Sequence, residues 1–103
     1  MSHFVKVATK SEIEAGSGRK VEVNGKEIAL FNIGGSFCAI DDTCSHRGGP
    51  LSEGSMEDNV VTCPWHGSKW DVTNGSLTWF PAKLKPADTF KVSVEGDTVY
   101  VEV

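Results

Sequence analysis

Apolar and polar positions along the chain alternate in short stretches, and turn residues punctuate them. Lys20 to Val23 is a short β-branched run that ends at Asn24-Gly25, a strong hairpin signal. Lys26 to Ile33 is a second, apolar-rich run, stopped by Gly34-Gly35, and Ser36 to Ile40 is a third. Val60-Val61-Thr62 makes a fourth, and Lys69 to Val72 a fifth that closes at Asn74-Gly75. Phe90 to Val94 alternates and turns at Gly96-Asp97. Val99, Val101 and Val103 then alternate with Tyr100 and Glu102. Period-two alternation means one buried face and one wet face. The only helical signal is Thr9 to Ala15, where Thr9 caps a turn carrying Glu12 and Gly16 ends it. Seven or eight short strands with regular turns predict an all-β chain, an antiparallel sandwich or small barrel. There is no internal repeat and no low-complexity segment.

Composition narrows the function classes. A chain of 103 residues is one domain, or one domain with a small insertion. Its formal charge of −4 argues against nucleic acid or an anionic membrane as partner, since both demand clustered Lys and Arg. No apolar run approaches the ~18 residues of a membrane span. The polar start Met1-Ser2-His3 lacks the basic-then-apolar layout of a secretory signal. A cytoplasmic location with no membrane contact is therefore expected. Three cysteines, an odd count, fit poorly with a disulfide framework and better with metal ligation or catalysis.

Residues 43 to 86 hold all four prolines, all three tryptophans, and His46 and His66. The whole net negative charge falls within residues 41–82; the remainder is balanced. Two short constellations stand out there: Cys44-Ser45-His46 and Cys63-Pro64-Trp65-His66. In an extended loop, residues i and i+2 point the same way, so Cys44 and His46 can address one site. Pro64 presets a turn, and the ends of a four-residue turn lie within ~7 Å, so Cys63 and His66 can also converge. Glycine follows each pair, at Gly48-Gly49 and Gly67, where backbone can approach a ligand closely. Structural zinc is one occupant such donors accept. Zinc sites, however, usually take both thiolates from one short knuckle and both imidazoles from one helix turn. Here each loop gives one of each, which suits a two-iron cluster with both thiolates on one iron and both imidazoles on the other. The plainer alternative is four residues that share no metal.

The stretches CSHRGGPLSEG (44–54) and CPWHGSKWDVTNG (63–75) resemble the two cluster-binding loops of Rieske-type [2Fe-2S] ferredoxins, and the likeness runs over roughly residues 3 to 103. The resemblance implies a Rieske-like antiparallel β-sandwich or barrel base domain (1–42 and 83–103) with a small inserted cluster-binding subdomain (43–82). It implies one [2Fe-2S] cluster held by Cys44, His46, Cys63 and His66. Around it would stand Arg47, Gly48, Gly49, Gly67, Ser68, Trp70 and Pro81, the last within a proline-bearing covering loop, Phe80-Pro81-Ala82. High-potential Rieske proteins carry an extra, disulfide-forming cysteine in each loop; the equivalent positions here are Gly49 and Trp65. Of the serine and tyrosine that donate to sulfur in that group, Ser68 is retained and Trp70 stands at the tyrosine position. The chain is therefore similar to the soluble ferredoxins of bacterial oxygenase systems. A reduction potential in the lower half of the roughly −150 to +300 mV Rieske range is expected.

The resemblance also implies the role: an electron carrier, not an enzyme, between an NAD(P)H-dependent, flavin-containing ferredoxin reductase and a terminal oxygenase of the aromatic-ring-hydroxylating type. Docking is expected near His46, His66 and Trp65, by a monomer, with the acidic excess steering toward basic partners. An oxygenase site would need two further histidines, and only His3 remains. A small Rieske subunit of a larger oxidoreductase, such as nitrite reductase, is the alternative; a structural zinc module is another. Trp79 and Phe80 are expected to pack over the cluster. Cys38, on an apolar strand, is expected to be a small buried hydrophobe.

Overall fold

A computed structural model of the chain describes residues 4–42, 50–65, 67–80 and 86–102. Among them are eleven strands, and every pairing is antiparallel. They are β1 (Phe4–Thr9), β2 (Ser17–Val23), β3 (Lys26–Ile33), β4 (Ser36–Asp41), β5 (Ser55–Glu57), β6 (Val60–Thr62), β7 (Lys69–Asp71), β8 (Leu77–Trp79), β9 (Thr89–Phe90), β10 (Val92–Glu95) and β11 (Thr98–Glu102). Three sheets result: β1-β11-β10, β2-β3-β4-β9 and β5-β6-β7-β8. The β2–β3 turn is Asn24-Gly25, with both residues at positive φ, as a two-residue hairpin with right-handed twist requires.

The long apolar run of β3 sits at the centre. Ile28, Ala29, Leu30 and Phe31 are all fully buried, so this strand has no wet face. Ile28 and Leu30 join Val21, Val23, Ala39, Val99 and Val101 in a core shared with the β1-β11-β10 sheet. Ala29 and Phe31 point the other way, into a second core with Ile40, Leu51, Val61, Cys63, Trp70 and Val72. One strand thus joins two hydrophobic clusters, and the four-stranded β5–β8 sheet is fastened to the rest through the second.

Several elements differ from the sequence reading. β1 was not expected; it pairs with β11 and carries a bulge between Lys6 and Ala8, which breaks its alternation. β5 and β8 have three residues each, too few to show a period. The run from Phe90 to Val94 is not one strand. Thr89–Phe90 pairs with β4, whereas Val92–Glu95 pairs with β11, so the chain changes sheets at Lys91. Such corners join packed sheets. Val94 is left exposed. The helical signal survives only as a 3-10 turn, Lys10–Glu12, in which the Glu12 carboxylate accepts from the Thr9 amide and hydroxyl. Gly16 does not end it. Its amide donates to the Asn32 carbonyl at 2.7 Å, with Gly16 at φ +83°.

A second 3-10 turn, Leu51–Glu53, plugs the inner core with Leu51. It ends at Gly54, where a Cβ would lie 2.2 Å from the Thr62 carbonyl oxygen and 2.8 Å from Val61 Cγ2. Strand β6 can pack this closely only against a glycine. Gly54→Ala is expected to destabilise by roughly 1–3 kcal/mol, a fall in Tm on the order of 10 °C by calorimetry. An unchanged Tm would contradict that packing.

Candidate metal centre

The loop between β6 and β7 begins at Cys63, which is 2% exposed and packs in the inner core. The Cys63 amide donates to the Ser68 carbonyl at 2.7 Å, and the Gly67 amide donates back to the Cys63 carbonyl at 3.1 Å. These bonds close a tight loop around Pro64 and Trp65. Gly67 has φ +75°, and among the described residues nothing lies within 4 Å of where its Cβ would be. Its glycine therefore serves the left-handed backbone that the turn demands, rather than close contact with a described neighbour. Trp65 sits at the tip of this loop and is 57% exposed.

Ser68, whose carbonyl accepts from the Cys63 amide, and Trp70, which shares the inner core with Cys63, are both fully buried. The Trp70 indole N–H donates to Ser68 Oγ at 3.0 Å. A buried indole N–H needs an acceptor, and this hydroxyl supplies it. Trp70 thus spends its donor on Ser68, a pairing that sequence position alone did not suggest. The next turn is held by Asp71. Its carboxylate accepts from the Thr73 hydroxyl and amide, and these bonds hold its pKa below the usual carboxylate range.

Of the expected ligands, Cys63 is described; Cys44, His46 and His66 lie outside the described residues. So do Arg47, Gly48, Gly49, Pro81 and Ala82, and also His3. Trp79 is 56% exposed and meets Phe80 edge-on, with ring centroids 6.5 Å apart. Cys38 is only partly buried, at the margin of the inner core; burial, with the Asp71 charge behind it, pushes its thiol pKa up. Neither Cys38 nor Cys63 forms a disulfide. Among the described residues, no helix is long and apolar enough to cross a membrane.

The Rieske [2Fe-2S] domain model matches residues 3–99, nearly the whole chain. The chain belongs to the Rieske [2Fe-2S] domain family. The ferredoxin component of biphenyl 2,3-dioxygenase from Rhodococcus jostii (strain RHA1) is 39% identical over 100 residues, which cover 97% of this chain and 92% of that one. The 3-phenylpropionate/cinnamic acid dioxygenase ferredoxin subunit of Photorhabdus laumondii subsp. laumondii is 40% identical over 98 residues, covering 94% and 91%. A chain in the solved complex of reduced oxygenase and oxidized ferredoxin in carbazole 1,9a-dioxygenase superposes with a TM-score of 0.87 at 35% identity, covering 94% of this chain and 99% of that one.

The cofactor is accordingly one Rieske-type [2Fe-2S] cluster. The described part of the site fits such a group. Cys63 offers a soft sulfur donor, withdrawn from water, at the root of a loop whose backbone is pinned at both ends. The residue whose carbonyl accepts from the Cys63 amide, Ser68, is itself buried and hydrogen-bonded through its side chain to Trp70. Replacing Ser68 with Ala removes the acceptor of the Trp70 indole and leaves a buried donor without it. A loss of about 1–3 kcal/mol in denaturant unfolding is expected; an unchanged midpoint would show that the bond contributes nothing.

Proposed function

We propose that this chain is the electron-carrying ferredoxin of an oxygenase system. It accepts one electron from an NAD(P)H-dependent, flavin-containing reductase and passes it to a terminal oxygenase of the aromatic-ring-hydroxylating type. The observation that carries the reading is near full-length similarity to ferredoxin components of dioxygenases, together with the match to a chain from an oxygenase–ferredoxin complex. The chain is a carrier and not itself an enzyme. Its work is to hold one redox group, present it to two partners in turn, and leave. We place it in the cytoplasm, acting as a monomer, with residues 43–82 as the cluster-binding part and 1–42 with 83–103 as its base.

Cys44 and Cys63 would hold one iron through thiolate, and His46 and His66 the other through imidazole. When bound, such a cluster supplies one-electron chemistry at a higher potential than four thiolates allow, because two thiolates leave its oxidised form neutral rather than doubly negative. The protein's residues do the rest. The inner core excludes water behind Cys63. The Trp70 indole, by donating to Ser68 Oγ, fixes that hydroxyl within the buried layer to which Cys63 belongs. In this reading the imidazoles of His46 and His66 would supply the short route outward, and Trp65, which is exposed and precedes His66 in the chain, would be the docking contact.

Iron and acid-labile sulfide analysis on anaerobically isolated protein tests the reading. About two of each per chain, with uptake of one electron in a dithionite titration, is the expected result. Zinc in place of iron, or a colourless protein, would contradict it. Trp65→Ala should leave the visible spectrum intact while slowing electron delivery to the oxygenase by about tenfold in a reconstituted system. Undiminished turnover would remove Trp65 from the docking face.

A further inference from the structure

The chain leaves β4 at Asp41, and residues 43–49, which carry Cys44 and His46, follow directly after Asp42. Asp42 is 2% exposed and is the only buried carboxylate among the described residues. Its main-chain and side-chain atoms bond in three directions. Its amide donates to the Glu27 carbonyl at 3.2 Å, at the start of β3. Its carbonyl accepts from the Leu51 amide at 2.7 Å, and its Oδ1 accepts from the Ser52 amide at 2.8 Å. Leu51 and Ser52 are themselves buried, in the 3-10 turn that follows the loop. Two bonds from one residue therefore join the chain entering residues 43–50 to the chain leaving them. The neighbouring residue does something similar for another segment. The Asp41 amide donates to the Asp88 carbonyl at 2.9 Å, where the chain returns from residues 81–85.

A buried carboxylate is costly unless hydrogen bonds or an opposite charge meet it. An apolar residue would fill the space after β4 without that cost, but it could not accept from the Ser52 amide. The first turn of a 3-10 segment leaves amides without partners inside the segment, and a carboxylate oxygen suits them. Lys20, on β2 beyond β3, feels the Asp42 charge, although Glu27 is its main partner. Pinning both ends of a loop removes freedom that its donor atoms would otherwise surrender on binding a metal group.

We infer that Asp42 is a positioning residue for the cluster: its carboxylate, by accepting from the Ser52 amide, closes the neck of the loop that carries Cys44 and His46. The inference rests on the ligand assignment above. It requires an acceptor oxygen at the place of Oδ1, not merely a negative charge in the region.

The test compares the holoprotein with Asp42→Asn, Asp42→Ala and Asp42→Glu. Cluster loss to a chelator is followed in the visible spectrum, and the electron spin resonance of the reduced protein is recorded alongside. Asn keeps an oxygen at the right reach, Ala has none, and Glu keeps the charge but moves it by one methylene. D42A is expected to lose its cluster about tenfold to a hundredfold faster than the unsubstituted protein, with a broadened resonance. D42E should resemble D42A, and D42N should lie near the parent. Loss from D42A at the parent rate, or equal rates for D42N and D42A, would overturn the proposal. Should D42A not fold, D42N and D42E carry the comparison, and D42E slower than D42N overturns it. A parent chain that assembles no iron–sulfur cluster contradicts the ligand assignment instead. The clasp is then read from amide exchange at Leu51 and Ser52, expected to be at least about tenfold faster in D42E than in D42N. Equal exchange overturns it.

Discussion

The structure depends on β3 being buried on both faces. Ile28 and Leu30 face one hydrophobic core and Ala29 and Phe31 face another, so a single strand is the wall between them. A strand with one wet face could have supported a sandwich alone. A second dry face must be covered, and Leu51, Val61, Trp70 and Val72 cover it. Cys63 belongs to that covering layer. The candidate ligand is thereby tied to the most buried part of the molecule, although its loop reaches the surface at Trp65.

Main-chain hydrogen bonds complete what the core begins. The Cys63 and Gly67 amides close one loop. Asp42 closes the neck of another through Leu51 and Ser52. The return of the third segment is held where the Ala87 amide donates to the Gly75 carbonyl at 2.8 Å and the Asp41 amide to Asp88. Each loop springs from strand ends already fixed by packing. A redox carrier benefits from such rigidity, because donors that keep their places on gaining or losing an electron keep the reorganisation small. The exposed aromatics Trp65 and Trp79 lie outside both cores.

Much of this was legible in the sequence, for local reasons. Asn24-Gly25 fixes a hairpin because both residues adopt positive φ at little cost. The Rieske family was legible in the Cys-x-His and Cys-x-x-His spacing, because one thiolate and one imidazole per loop suits a two-iron cluster better than structural zinc. What was not legible depends on partners distant in the chain. Lys91 gives no hint that the strand changes sheets there, since the deciding neighbours are β4 and β11. Asn32 looks like an ordinary polar strand residue. In fact it is buried, and its side chain donates to the Ile13 carbonyl and accepts from the Gly35 amide, tying the N-terminal segment to a hairpin turn. Asp42 was hidden in the same way, and so was the bond between Trp70 and Ser68: each is a contact that only the folded chain creates.

The central claim is mixed coordination: two thiolates and two imidazoles, drawn from two loops, on one diiron cluster. Its most direct test is electron spin resonance with electron–nuclear double resonance on the reduced protein, with histidine labelled by nitrogen-15. The account predicts hyperfine coupling from two imidazole nitrogens, one lost on replacing His46 and the other on replacing His66, and neither on replacing His3. A reduced cluster with no coupled histidine nitrogen would contradict it.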